Sequence, residues 1–183
     1  MPGHLEPLGI LVDRTIDFSS DEGFLPYEPG EFETLEDLLE LLHAEARREA
    51  HVLHLDIPGN LRALLAIGGE LGAISVCPLV YPDRNWKPIR ARMWTAQSHK
   101  LYATQARLFR ELEDQMEVSV AELMPVEEVI QLAAHFAKYR ELAETHQWFD
   151  EEGVAFKLTA STTLYQSLLC PPGTQYDATG SSS

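Results

Sequence analysis

Apolar positions recur at helical spacing in two stretches of the chain. Leu35, Leu38, Leu39, Leu42 and Ala46 fall on one stripe, which predicts an amphipathic helix. Thr34 stands where an N-cap hydroxyl is wanted, Glu36 and Asp37 occupy the positive first turn, and Arg47 and Arg48 suit the negative end. A second helix is predicted to open at Pro125, whose fixed φ suits the first helical position. Val126, Val129, Ile130, Ala133, Phe136 and Ala137 make its apolar stripe, with Glu127, Glu128, Gln131 and Lys138 on the opposite side.

Between these helices the pattern shortens to that of strands. The runs HVLHLDI (His51 to Ile57), LRALLAIGG and ELGAISVCPLVY are separated by PGN and by the Gly68-Gly69 pair, which predicts antiparallel strands joined by tight turns. A further turn is expected over Tyr81 to Asn85. From Ile89 to Thr95, apolar and small residues alternate with Arg90, Arg92 and Trp94, as in a half-exposed strand with one basic face. Leu101 to Phe109 fits either a strand or a helix and is read as a strand, and Thr145 to Phe149 as a short closing strand. Leu8 to Val12 can form a strand, but the chain from Asp17 to Glu33 is rich in Asp, Glu, Gly and Pro and is expected to be loop. The small, polar chain from Gly153 onward is expected to be a flexible tail.

These elements predict an α+β fold, with an antiparallel sheet of about five to six strands packed by two main helices in two layers. The expected organisation is an acidic segment over residues 1–33, the α+β domain over 34–152 and the tail over 153–183. The 183 residues, 45% of them hydrophobic, suffice for one domain with a core.

A net charge of -15 disfavours direct binding to nucleic acid or to anionic membranes and favours fast association with a basic partner. Two cysteines are too few for a disulfide framework, and Cys77, in an apolar run, is expected to pack as a small hydrophobe. Neither a signal peptide nor a membrane span is read in the chain, so a cytoplasmic protein is expected. Charge is also segregated. From Arg84 to Arg110 there are seven bases and no acids, and from Glu111 to Glu128 seven acids and no bases. Two adjacent segments can neutralise each other in the fold. If the acidic run faces a partner instead, Glu111, Glu113, Asp114 and Glu117 are the candidate contacts, chosen on charge alone.

Seven histidines invite a search for chemistry. A strand alternates its faces, so only His54 and Asp56 of HVLHLD share one, and His51 points away. H-x-H, H-E-x-x-H and C-x-x-C are absent from the sequence. His135 falls on the polar side of its helix near Glu128 and Gln131, and is expected to be solvated. His43 borders the first apolar stripe, where Glu40 and Arg47 can hold it at the surface. His146 shares a face with Trp148 and is expected to be a packed or edge histidine. Nucleophile-elbow, dinucleotide and phosphate-loop motifs are also absent. The expectation is therefore no catalytic residue, no metal and no cofactor. An enzyme reading would be a hydrolase resting on His54 and Asp56, and would need a pocket around them.

The order of parts carries a resemblance. A helix with the sequence ETLEDLLELL precedes strands that include ALLAIGGELGAISV, and LMPVEEVIQLAAHFAKYRELAETHQW follows. Over roughly residues 32–149 this resembles the first-numbered family of bacterial immunity proteins, found beside polymorphic toxins. Pro125, Val126, Glu127, Glu128, Phe136, Gln147 and Trp148 match that family's closing signature. Pro125, Phe136 and Trp148 would then be structural signature positions. The resemblance implies a non-enzymatic protein that neutralises a cognate toxin, a nucleic-acid deaminase or nuclease with a basic cleft, by occluding its active site. The alternative class is an adaptor or secretion-accessory domain, which genomic neighbourhood would distinguish.

Overall fold

In the computed structural model, residues 10–14, 30–32, 34–78, 92–111, 114–157 and 163–169 are described. Helix α1 (Leu35–Ala46) starts where the sequence predicts, because Thr34 is extended and its Oγ1 accepts the Asp37 backbone N–H at 3.2 Å. Leu38 and Leu42 bury completely. Helix α2 (Val126–Tyr139) buries Val129, Ile130, Leu132, Ala133, Ala134, Phe136 and Ala137, a wider stripe than the periodicity alone picks out. It ends where Arg140 turns left-handed (φ 55°) and donates its N–H to the Phe136 carbonyl at 2.8 Å. Pro125 stands one residue before this helix, in a short strand pair.

The strands in chain order are β1 (Ile10–Arg14), β2 (Gly30–Phe32), β3 (His51–Ile57), β4 (Leu61–Ile67), β5 (Leu71–Pro78), β6 (Trp94–Ala96), β7 (Arg107–Glu111), β8 (Asp114–Val118), β9 (Met124–Pro125) and β10 (Trp148–Phe149). The main sheet runs β10-β6-β5-β4-β3-β1-β2. The β3-β4-β5 meander is its centre, in register from His51↔Ile67 to Ile57↔Leu61 and from Leu61↔Pro78 to Ala66↔Ala73. The α+β expectation holds, but the sheet is larger than expected and mixed. Two strands come from the segment expected to lie outside the domain. The far edge of β3 is also shared: Leu53 to Asp56 pair with β1, whereas His51 pairs in parallel with Arg110 of β7. The β7–β8 hairpin therefore leaves the sheet edge and folds over its back.

Strand alternation divides the sheet into two apolar faces. Leu53, Leu55, Leu65, Ile67, Ile74 and Trp94 meet α1 and α2 in the larger core. On the back, Val52, Ala66 and Ala73 meet Phe109 and Val118 of the hairpin, together with Leu123. Burying a side chain of this size contributes about 1.5–3 kcal/mol, so Phe109 anchors the hairpin. Part of the expected tail also joins the core. Phe156 packs against Trp94 with ring centroids 5.3 Å apart. Helix α3 (Leu164–Leu169) buries Leu168, whose carbonyl accepts the Trp94 indole N–H at 3.0 Å.

The Gly68-Gly69 turn ties three elements together. Gly69 donates its N–H to Ala46 at the end of α1, and Arg107 of β7 donates to the carbonyls of Gly68 and Leu71, both at 2.8 Å. Gly68 has φ +117°, and a Cβ there would lie 2.6 Å from the Glu49 carbonyl oxygen. The position thus requires glycine for both backbone angle and space.

Three expected strands are shorter than predicted, the closing one covering only Trp148–Phe149 of Thr145 to Phe149. Within Ile89 to Thr95 the described strand starts only at Trp94, and within Leu101 to Phe109 only at Arg107. The chain between them is held as a loop by Ser98 N–H to the Ala121 carbonyl at 2.8 Å. The turn over Tyr81 to Asn85, Glu113 and the chain beyond Leu169 lie outside the described residues. Among the described residues no helix is long and apolar enough to cross a membrane.

Candidate functional site

The acidic residues chosen on charge lie on the β7–β8 hairpin, and the pleat sorts them. Phe109 and Val118 face the sheet and are buried, whereas Leu108 and Glu117, paired in register, face away and are exposed. Glu111 and Asp114 pair at the turn end, on the same side of the pleat as Phe109. Asp114 is exposed, but Glu111 Oε1 lies 3.0 Å from His54 Nε2 and serves the fold as well as the surface. The acids are therefore distributed over both sides of the hairpin. Two described bases of the basic run have partners elsewhere. Arg107 spends its guanidinium on carbonyls, and Arg92 pairs with Asp150 and sits 3.9 Å from Glu152.

His54 and Asp56 share a face, as alternation requires, yet each has its own partner. Asp56 accepts two hydrogen bonds from Arg62, at 2.6 and 3.0 Å, in the bidentate geometry that suits guanidinium and carboxylate. Beside that pair, burial pushes the Cys77 thiol up to about 11, with Arg62 pulling it down and Asp56 pushing it further up. On the helix side of the sheet, His51 Nε2 lies 2.8 Å from the carboxylate of Glu45, which is itself buried against Arg48. His43 faces Glu127 of α2 at 3.6 Å instead of Glu40 or Arg47. His135 is only partly solvated. Its Nε2 lies 3.4 Å from Glu141 and its ring 4.9 Å from that of Tyr139.

His146 is the histidine that the fold places most specifically. Its side chain is 5% exposed, Nε2 lies 2.5 Å from Glu128 Oε1, and Nδ1 lies 3.0 Å from Thr145 Oγ1. The His99 ring lies against it, tilted by 45°, with centroids 4.3 Å apart. Three elements deliver these groups: the first turn of α2, the segment before β10, and the loop after β6. Backbone bonds fix their approach, with Gln97 N–H donating to the Gln147 carbonyl at 2.9 Å. One nitrogen or oxygen from each of His99, Glu128 and His146 lies within 4.8 Å of the other two. Sequence spacing missed the cluster because its members are 29 and 18 positions apart. The stretch from Pro125 to Trp148, which holds both Glu128 and His146, was the one available pointer.

Two clefts adjoin this cluster. One, of about 460 Å³, is bounded by Glu128, Gln131, His135, Glu144, Thr145 and His146 among others. The second, of about 770 Å³, is lined by Arg140, Leu142, Trp148, Phe156 and Leu164, and shares His135, Tyr139, Ala143, Glu144 and His146 with the first. Neither is lined by His54 or Asp56. Pro125, Phe136 and Trp148 serve the fold. Pro125 pairs with Leu71 where β9 leads into α2, Phe136 is buried, and Trp148 is buried and donates its indole N–H to the Ala143 carbonyl. No family model and no curated protein matches the chain.

Proposed function

We propose that the protein is a cytoplasmic immunity protein that binds a cognate polymorphic toxin and blocks its basic, nucleic-acid-binding active site. The observation that carries the reading is the stretch from Pro125 to Trp148. It forms a core helix and then a closing strand, in the order that the resemblance implies, in a chain of net charge -15. Asp114 and Glu117 stand exposed on a hairpin that also presents Leu108, half exposed. An apolar residue among acids suits a basic cleft, because charge steers the encounter and apolar contact lengthens residence. Inhibition of this kind requires no chemistry from the antidote.

Co-expression with a basic toxin encoded beside this gene tests the proposal. A complex that survives purification, dissociates more readily at high salt and abolishes the toxin's activity on nucleic acid is expected. Free toxin and undiminished activity would overturn it, and would leave an adaptor role as the next reading.

A further inference from the structure

We propose that His99, Glu128 and His146 form a binding site for a divalent transition-metal ion, with zinc the best match to the ligand set. Two imidazoles and a carboxylate are donors suited to zinc, whereas magnesium and calcium prefer oxygen-only shells. The three side chains come from separate elements and bring one donor atom each within 4.8 Å of the others. Donors about 2.0–2.1 Å from a tetrahedral ion stand roughly 3.3 Å apart. The His146–Glu128 contact of 2.5 Å must therefore open by less than about 1 Å. His99 is exposed and can adjust by rotation.

The surroundings prepare His146 for this role. If Nδ1–H donates to Thr145 Oγ1, the Nε2 lone pair faces the Glu128 carboxylate at 2.5 Å. Two lone-pair-bearing atoms at that distance call for a cation between them. In the other tautomer that cation is the proton Nε2 donates to Glu128, which the metal would displace. Holding the far nitrogen of a ligating histidine is a recurrent feature of such centres. Three protein ligands leave a fourth tetrahedral position open, for water or for a side chain of a bound partner. The ion would also join the loop after β6, the start of α2 and the entry to β10, now held together by the Glu128–His146 hydrogen bond, the Gln97–Gln147 backbone bond and the tilted His99–His146 ring contact.

The test uses the full chain, stripped with a chelator and titrated with Zn²⁺ by calorimetry and with Co²⁺ by visible absorption. One equivalent is expected to bind, with the intense visible bands of four-coordinate Co²⁺ and a rise in melting temperature. His99→Ala alters an exposed residue and is expected to keep the fold while abolishing the one-equivalent step and the melting shift. Thr145→Val is expected to weaken affinity by about 10–100-fold, the usual effect of losing an outer partner. The site would be overturned by the absence of a one-equivalent step in the wild type, or by a step that persists unchanged in both His99→Ala and His146→Gln. These readouts do not depend on the toxin, so failure here is separable from failure of the immunity reading.

Discussion

The indole nitrogen of Trp148 donates to the backbone carbonyl of Ala143, 3.2 Å away. The bond spans the connection from α2 into β10 and adds a second donor to a carbonyl that also accepts the His146 N–H at 3.4 Å. Trp148 is 4% exposed, so Trp148→Ala should destabilise by about 3–5 kcal/mol. Trp148→Phe keeps most of the apolar area and removes only the indole bond, and should cost about 0.5–1.5 kcal/mol. Urea unfolding followed by circular dichroism reads both. No measurable loss in Trp148→Phe would show that the bond contributes nothing beyond packing.

The acids on the β7–β8 hairpin should separate into two classes. Asp114→Lys and Glu117→Lys change exposed residues and should alter stability by no more than about 0.5 kcal/mol. Against a basic toxin, each should slow association and flatten its salt dependence. Glu111→Gln removes the carboxylate facing His54 and should be felt in stability as well, by up to about 1 kcal/mol. Stopped-flow association at two ionic strengths, with melting curves alongside, distinguishes the classes. Unchanged association rates for both Lys variants would move the binding face away from this hairpin.

What the sequence disclosed depended on whether the information is local. α1 and α2 and the β3-β4-β5 meander were legible because stripe, cap and turn residues lie within a few positions of one another. The fork at β3 was not legible, since nothing near His51 announces that its strand edge is shared between β1 and β7. Phe109 looked like one more strand residue, and only the fold makes it the anchor of a hairpin over the back of the sheet. His99, Glu128 and His146 failed the motif search for the same reason. Each stands in an ordinary local context, and the tertiary fold alone brings them together.

The Gly68 position should tolerate no side chain. In Gly68→Ala the new Cβ would lie 2.6 Å from the Glu49 carbonyl oxygen at a φ of +117°. Neither partner is a flexible side-chain end, so backbone must move. Strain and overpacking together predict a loss of about 2 kcal/mol or more. Because Arg107 and Ala46 both bond to this turn, faster hydrogen exchange should spread to β7 and the end of α1. Protection lost only within the turn itself would contradict that coupling.

Cys77 should be a poor nucleophile in the native protein. Burial, chiefly, holds its thiol up to about 11, and the thiolate is the reactive species. At pH 8 a thiol reagent should modify Cys77 slowly in the folded chain and at an ordinary rate in denaturant. Peptide mapping after timed alkylation reads the two rates, and fast native labelling at Cys77 would refute the assignment.

Asp150 should make the protein sensitive to acid. Its side chain is 2% exposed, and that burial alone would raise its pKa. The backbone N–H groups of Val154 and Glu152 donate to its Oδ1 at 2.7 and 3.0 Å, and Arg92 donates to Oδ2. Together these outweigh burial and leave the carboxyl below its ordinary value. An unfolded aspartate ionises near pH ~3.9, so on acidification the unfolded chain takes up this proton before the folded one does. The stabilisation from Asp150 is therefore fully present above about pH 4 and is lost as pH falls through the lower native value. Asp150→Asn lacks that ionisation. Its stability deficit against wild type, measured by urea unfolding at pH 7, 4 and 3, should be largest at pH 7 and shrink toward pH 3. A deficit that stays constant across the three would mean that the native carboxyl is not held ionised by these donors.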